Sequence, residues 1–229
     1  MVTAASGGAE AHDGRLIVFE GIDGAGTTTQ VELLARALRH ERRVVHVTRE
    51  PSFGPVGALL RLVLSGRLSL GGAAQAQIMA LLFAADRLDH VAAEIAPHLR
   101  DGAVVLSDRY DLSSLTYQCA TAGAAEAGQA FVDWVRELNR YALRPDATVV
   151  LDVSPETADA RRRGRTGARE LYEVPELQRK LAELYRRAEL LVPGDRVIHV
   201  GGEPGTEQVA AEIRRSLAPI LGSPSQASS

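Results

Sequence analysis

Lysine is almost missing from this 229-residue chain: Lys180 is the only one, and the rest of the side-chain cation supply is arginine. A phosphate held by a charged side chain here is therefore expected to meet a guanidinium, which forks onto oxygen pairs where an ammonium acts as a point charge. Cys119 is the sole cysteine, which excludes an internal disulfide and leaves a small core hydrophobe as its simplest role. No apolar run reaches the roughly 18 residues that a membrane-crossing helix needs. A formal net charge of -3 excludes general electrostatic attraction to nucleic acid. Residues 1–14 are small and polar, without the charged start and apolar centre of a secretory signal, so a frayed tail is expected there. A second Ser/Pro/Gly tail is expected over 219–229. Together these absences predict a soluble, cytoplasmic protein with no nucleic-acid or membrane partner.

What remains is enough for one full core, at 45% hydrophobic residues, and the expected domain covers 15–218. Short apolar runs rich in β-branched residues alternate with longer stretches of helical period. Leu16–Glu20, Val44–Thr48, Val104–Ser107, Thr148–Val153 and Val197–Val200 are the candidate strands. Five strands separated by helices predict an α/β fold, a five-stranded parallel sheet with helices on both faces. In such sheets ligands gather at the carboxyl ends of the strands, where Gly21, Arg49, Asp108 and Ser154 fall. The alanine-rich patch Ala120–Ala127 is expected to be a loop or a weak helix rather than an interdomain linker.

The first strand runs into Gly21-Ile-Asp-Gly-Ala-Gly-Thr-Thr-Thr29, a glycine-rich turn that opens a helix. Glycines let successive backbone N–H groups turn inward on phosphate oxygens, a hydroxyl at Thr28 can hold Mg²⁺, and the helix dipole favours an anion. The place where a phosphate loop of this pattern carries lysine holds Thr27. Gly21, Ile22, Asp23, Gly24, Ala25, Gly26, Thr27, Thr28 and Thr29 are the candidate ATP and phosphate contacts. A purely structural turn is the alternative.

Three further segments carry chemistry. Val104–Gln118 is a buried strand ending in Asp108 and Arg109, a carboxylate that can hold Mg²⁺ or its water beside a guanidinium that can grip phosphate. A surface Asp–Arg pair would look the same. Phe83 and Arg87 stand four apart on a helical stretch, so a ring and a guanidinium share a face and could stack a base and bond its edge. A core phenylalanine and a solvated arginine is the plainer alternative. Ala160–Glu173 packs five arginines around two glycines, the composition of a basic flap that could close on polyphosphate, or of a solvated basic helix.

Taken in order, Phe19-Glu-Gly-Ile-Asp-Gly-Ala-Gly, Thr48-Arg-Glu-Pro51, Leu82-Phe-Ala-Ala-Asp-Arg87, Ser107-Asp-Arg-Tyr-Asp-Leu-Ser-Ser-Leu-Thr-Tyr-Gln118 and Arg144–Val153 resemble the thymidylate kinases, over residues 15 to about 218. That resemblance implies a P-loop NTPase fold, transfer of the γ-phosphoryl of ATP to dTMP with Mg²⁺ as cofactor, an arginine-rich lid over about 161–173, and a homodimer. It places Asp23 near the acceptor phosphate, Phe83 on thymine, Arg87 at the base edge and Arg109 on the acceptor phosphate. Ser113, Ser114, Tyr117 and Gln118 would line base and sugar, with Tyr117 filtering against a ribose 2′-hydroxyl. Arg49 would also contact dTMP, in a loop where Glu50–Pro51 is expected to be cis. Tyr172 and Glu173 match the end of the lid.

Ala25 resembles the bacterial type in which the lid supplies the catalytic arginine, making Arg162, Arg163 and Arg165 the candidates beside Asp23 and Arg109. Two departures stand out: Thr27 itself, and Gly167-Ala-Arg-Glu where an Arg/Asp-rich lid segment is usual. One missing positioned cation costs on the order of a few kcal/mol, or two to four orders of magnitude in rate, unless something compensates. Two further functions are therefore set beside the dTMP kinase. One is a nucleotide-binding pseudokinase, and the other is a kinase of another nucleoside or nucleotide.

Overall fold

A computed structural model describes residues 14–72, 74–122, 128–163 and 174–222. Its five strands are β1 (Arg15–Glu20), β2 (Val45–Arg49), β3 (Val104–Asp108), β4 (Ala147–Asp152) and β5 (Val197–Gly201). All neighbours pair in parallel, in the order β2-β3-β1-β4-β5. The five expected strands are thus the five observed, each within a residue at either end. Parallel strands buried on both faces read as unbroken apolar runs, which is why they were legible.

Strand β1 is central, and its alternation divides the core. Ile17 and Phe19 join a cluster with Val31, Leu34, Val149 and Ile213, whereas Leu16 and Val18 join Ile95, Leu99 and Tyr110. The connection from β1 runs to β2 on one side, whereas that from its neighbour β3 crosses to β4 on the other, so the strand order reverses between β1 and β3. A crevice forms at such a reversal, at the carboxyl ends of the strands.

The helices are α1 (Thr27–His40), α2 (Pro55–Leu64), α3 (Gln75–His90), α4 (Ala96–Arg100), α5 (Asp111–Thr121), α6 (Gln129–Leu138), α7 (Pro155–Arg163), α8 (Pro175–Tyr185), α9 (Ala188–Leu191) and α10 (Thr206–Leu221). A π-type stretch, Val91–Ile95, joins α3 to α4. Helix α6 buries Phe131 and Val135.

Two boundaries differ from expectation. Gly14 is buried at the start of β1, and α10 runs to Leu221, past the expected domain limit at 218. The last turn of α10 is held because the Arg43 guanidinium donates to the carbonyls of Leu221 and Gly222, groups that a helix end leaves without partners. The expected tail residues 1–13 and 223–229 lie outside the described residues, as does 123–127 of the alanine-rich patch. No helix among the described residues is long and apolar enough to cross a membrane.

Candidate functional site

Between β1 and α1 the chain turns through Gly24 and Gly26 at φ 92° and 99°, left-handed values that an L side chain resists. At Gly24 the demand is doubled, since a Cβ there would stand 2.5 Å from the Ala158 carbonyl of α7. Glycine thus lets α7 press directly on the loop. Ile22 and Ala25 are buried in the core cluster, so this turn is pinned from below.

The loop opens on a cleft of about 1490 Å³ that crosses the carboxyl edge of the sheet. Asp23 through Gln30 line one end, and Phe83, Arg87, Ser113, Ser114, Tyr117 and Gln118 line the other. Arg49, Asp108 and Arg109 lie between, and Arg161, Arg162 and Arg163 of α7 form a third side. Of the expected phosphate contacts, Gly21 and Ile22 do not line this cleft. Gly21 serves it indirectly, because its carbonyl accepts from Arg109 Nη1 at 2.9 Å.

Arg109 is the hinge between the two ends. Its φ of 77° is left-handed, an uncommon conformation for a residue with a Cβ. The backbone turn sends the guanidinium to Asp23 Oδ1 at 2.5 Å, Ser113 Oγ at 3.2 Å and Tyr185 Oη at 3.2 Å. It also lies 5.3 Å from the centre of the Tyr117 ring. The Asp–Arg feature is therefore no surface pair: it links the phosphate loop to α5.

Thr28 Oγ1 donates to Asp108 Oδ2 at 2.5 Å, bringing together the two candidate metal ligands. Asp108 Oδ1 is buried without a hydrogen-bond partner. A carboxylate oxygen in that state, beside a hydroxyl at a helix start, is the donor set that hard cations such as Mg²⁺ prefer.

On the far wall, Gln118 is 1% exposed, and neither Nε2 nor Oε1 of its amide has a partner. Leaving a buried polar group unpaired costs about 1–3 kcal/mol, which a ligand with its own donors and acceptors would recover. Phe83 is half-buried against the Leu60, Val63 and Met79 cluster, one turn before Arg87.

Arg87 departs from its solvated alternative. It is fully buried, with Nη2 donating to Glu50 Oε2 at 2.6 Å and Ser114 Oγ at 3.1 Å, and Nη1 donating to Asn139 Oδ1. Glu50 also meets His90 Nδ1 at 3.4 Å. Only Nε of Arg87 is left without a partner, so the guanidinium is chiefly a buttress of the wall. The Glu50–Pro51 bond is cis, as the resemblance implied.

The two lid candidates among the described residues are not equivalent. Arg162 is 9% exposed, donating through Nη1 to the Asp23 carbonyl of the loop and through Nη2 to Asp159 at 3.3 Å. Arg163 is 79% exposed and pairs with Asp159. Arg165, Tyr172, Glu173 and the segment Gly167-Ala-Arg-Glu lie outside the described residues.

Three site residues carried no individual sequence signal, Arg161 only as part of the arginine-rich stretch Ala160–Glu173. Arg161 donates to the carbonyls of Ala25 and Gly202, tying the phosphate loop to the turn after β5. Arg61 of α2 lines the cleft, and its guanidinium lies 5.3 Å from the Phe53 ring. Glu20 sits fully buried behind Arg109. Cys119 keeps its plain role: burial pushes its thiol up to about 11, away from the reactive thiolate.

A glycine-built phosphate loop at the reversal point of a parallel sheet, facing a hydroxyl–carboxylate pair and a row of arginines, defines a nucleotide-binding P-loop protein. Comparison with known proteins narrows the class. The thymidylate kinase family model matches residues 19–213. A probable thymidylate kinase of Pyrobaculum aerophilum is 42% identical, covering 90% of this chain and 97% of the relative. One from Thermococcus kodakarensis is 40% identical over 90% and 98% of the two chains. A thymidylate kinase of Symbiobacterium thermophilum is 37% identical over 90% and 93%. This chain belongs to the thymidylate kinase family.

Proposed function

We propose that the protein phosphorylates dTMP to dTDP with MgATP. The observation that carries this is a single cleft in which the phosphate loop and the α5 wall face each other across Arg109. Two ligands fit end to end there, a triphosphate on the loop and a nucleoside monophosphate against α5.

Binding and alignment do most of the work in phosphoryl transfer, because the acceptor is already an anion and needs little help from a base. The N–H groups at the start of α1 receive the donor phosphates. Arg109 exchanges part of its contact with Asp23 for the acceptor phosphate and brings it in line. Phe83 stacks on the base, Gln118 pairs with its edge, Arg87 contributes its free Nε, and Tyr117 closes the sugar side, with Ser113, Ser114 and Arg49 completing the pocket. Thr28 and Asp108 would hold Mg²⁺, which would supply positive charge beside the phosphates. Arg162 supplies the cation that Thr27 lacks, with Arg163 and Arg165 as the other lid candidates.

The family resemblance also implies a homodimer, and an apolar surface supports one. Leu59 of α2 and Leu81 and Leu88 of α3 are all exposed, and the two helices pack on each other. A second copy of this chain would cover them.

One observation favours a second function. With a neutral, 7% exposed side chain at Thr27, the loop could seat a nucleotide without turning it over. ADP release measured with dTMP, dUMP, dCMP and dGMP in turn tests the proposal. Turnover fastest with dTMP supports it; turnover fastest with another monophosphate shows a different base preference, and none with any supports the pseudokinase.

A further inference from the structure

Glu20 is the last residue of β1, an acid at the end of a strand otherwise apolar from Leu16. It is fully buried, yet no metal cluster or lysine accompanies it among the described residues. Four donors converge on its two oxygens. Oε1 accepts from the backbone N–H groups of Tyr110 at 2.8 Å and Ser113 at 3.1 Å. Oε2 accepts from Ser113 Oγ at 2.6 Å and Tyr185 Oη at 3.0 Å.

The first pair is a helix cap delivered from a distant strand. Helix α5 has no capping side chain of its own, and its first-turn N–H groups need an acceptor. The second pair reaches the neighbouring cation. Ser113 Oγ and Tyr185 Oη each have one hydrogen to give, and giving it to Glu20 leaves their lone pairs to accept from Arg109 Nη1, 3.2 Å from both. Arg109 also returns a backbone tie, its N–H donating to the Phe19 carbonyl at 2.9 Å.

We propose that Glu20 is a positioning residue for the acceptor-phosphate end of the cleft. Its carboxylate fixes the start of α5 and, through the hydroxyls of Ser113 and Tyr185, the direction of the Arg109 guanidinium. The ionised form suits the cage, since four donors already point at the two oxygens and a carboxyl proton would oppose one of them. Burial works the other way and pushes this carboxyl up to about 7, while Arg109, Ser113 and the Tyr110 and Ser113 N–H groups pull it down. Asp23 faces Arg109 from the loop and shares its charge.

This inference rests on the proposal that dTMP binds beside Arg109, so its test has a readout independent of that ligand. Wild type, Glu20→Gln and Tyr185→Phe are compared as full-length protein, by amide hydrogen exchange and by calorimetric titration with dTMP and with ATP. In Glu20→Gln, exchange at the Tyr110 and Ser113 amides is expected to accelerate at least about tenfold, with β1 and β4 amides unchanged. Its dTMP dissociation constant should rise by about tenfold or more while that for ATP stays within about twofold. Tyr185→Phe, a milder change, should raise the dTMP constant by about threefold without touching the two amides. Unchanged exchange at Tyr110 and Ser113 in Glu20→Gln would overturn the inference, as would equal weakening of both nucleotides. If wild type itself takes up no dTMP, the proposed substrate is wrong, and the exchange readout alone then decides the role of Glu20.

Discussion

Arg162→Met separates the two lid arginines of α7 by position. The side chain lies along α7 against the phosphate loop, its Cγ 3.1 Å from where a Cβ on Gly24 would be, and methionine keeps that apolar stem while removing the charge. A guanidinium about 4 Å from a phosphate oxygen at a partly dehydrated surface interacts by about 4 kcal/mol. The Asp159 carboxylate 3.3 Å away offsets part of this. A net loss of about 2–4 kcal/mol in the transition state converts to a fall in kcat of roughly 30- to 1000-fold. Coupled ADP release at saturating ATP and dTMP measures it. Arg163→Met, which removes an exposed cation, should change kcat by no more than about threefold, because solvent and salt screen such charges. Wild-type kcat in Arg162→Met, or a larger loss in Arg163→Met, would refute the assignment of the compensating cation.

Asp108→Asn keeps the shape of the site but removes the charge beside Thr28, so the Mg²⁺ concentration giving half-maximal rate should rise about tenfold or more in an ADP-release titration. Glu20 gives a pH signature in stability. Its carboxyl lies near 4.5 when unfolded and is raised to about 7 by burial, so its contribution is full below about 4.5 and is lost as pH rises through about 7. That loss is about 3 kcal/mol. Urea unfolding at pH 5 and pH 8 should therefore show a smaller decline in Glu20→Gln than in wild type. Charged substitutions at the exposed helix face, Leu81→Glu with Leu88→Glu, should convert a dimer to monomer in sedimentation velocity while leaving urea stability of the monomer within about 1 kcal/mol.

The sheet was legible because each strand is a short β-branched run between helical stretches, and because parallel strands hide both faces. The phosphate loop was legible for a different reason: its glycines sit at backbone positions that other residues occupy only with strain. Helix α2 had no comparable signal. It opens at Gly54-Pro55 just past the Glu50–Pro51 turn, where breakers and apolar residues mix, and nothing local marks its Arg61 as a cleft residue. Buried polar contacts were illegible in principle. That Arg87 meets Glu50 and Asn139, or that Glu20 receives Tyr185, depends on contacts 37, 52 and 165 residues apart in the chain, with no local periodicity to announce them. The same holds for Arg161, whose neighbours Arg162 and Arg163 look identical to it in sequence yet reach different partners.

The central claim is that a phosphate loop carrying Thr27 still supports phosphoryl transfer because a guanidinium on α7 does the work of the missing ammonium. The most direct measurement is ADP release with dTMP and MgATP by wild type and Thr27→Lys side by side. Wild type is expected to turn over, with the lysine raising kcat by less than about tenfold, the size of effect left when a compensating charge is already in place. Turnover that appears only in Thr27→Lys would contradict the claim and identify the natural chain as a nucleotide-binding protein that does not transfer phosphate.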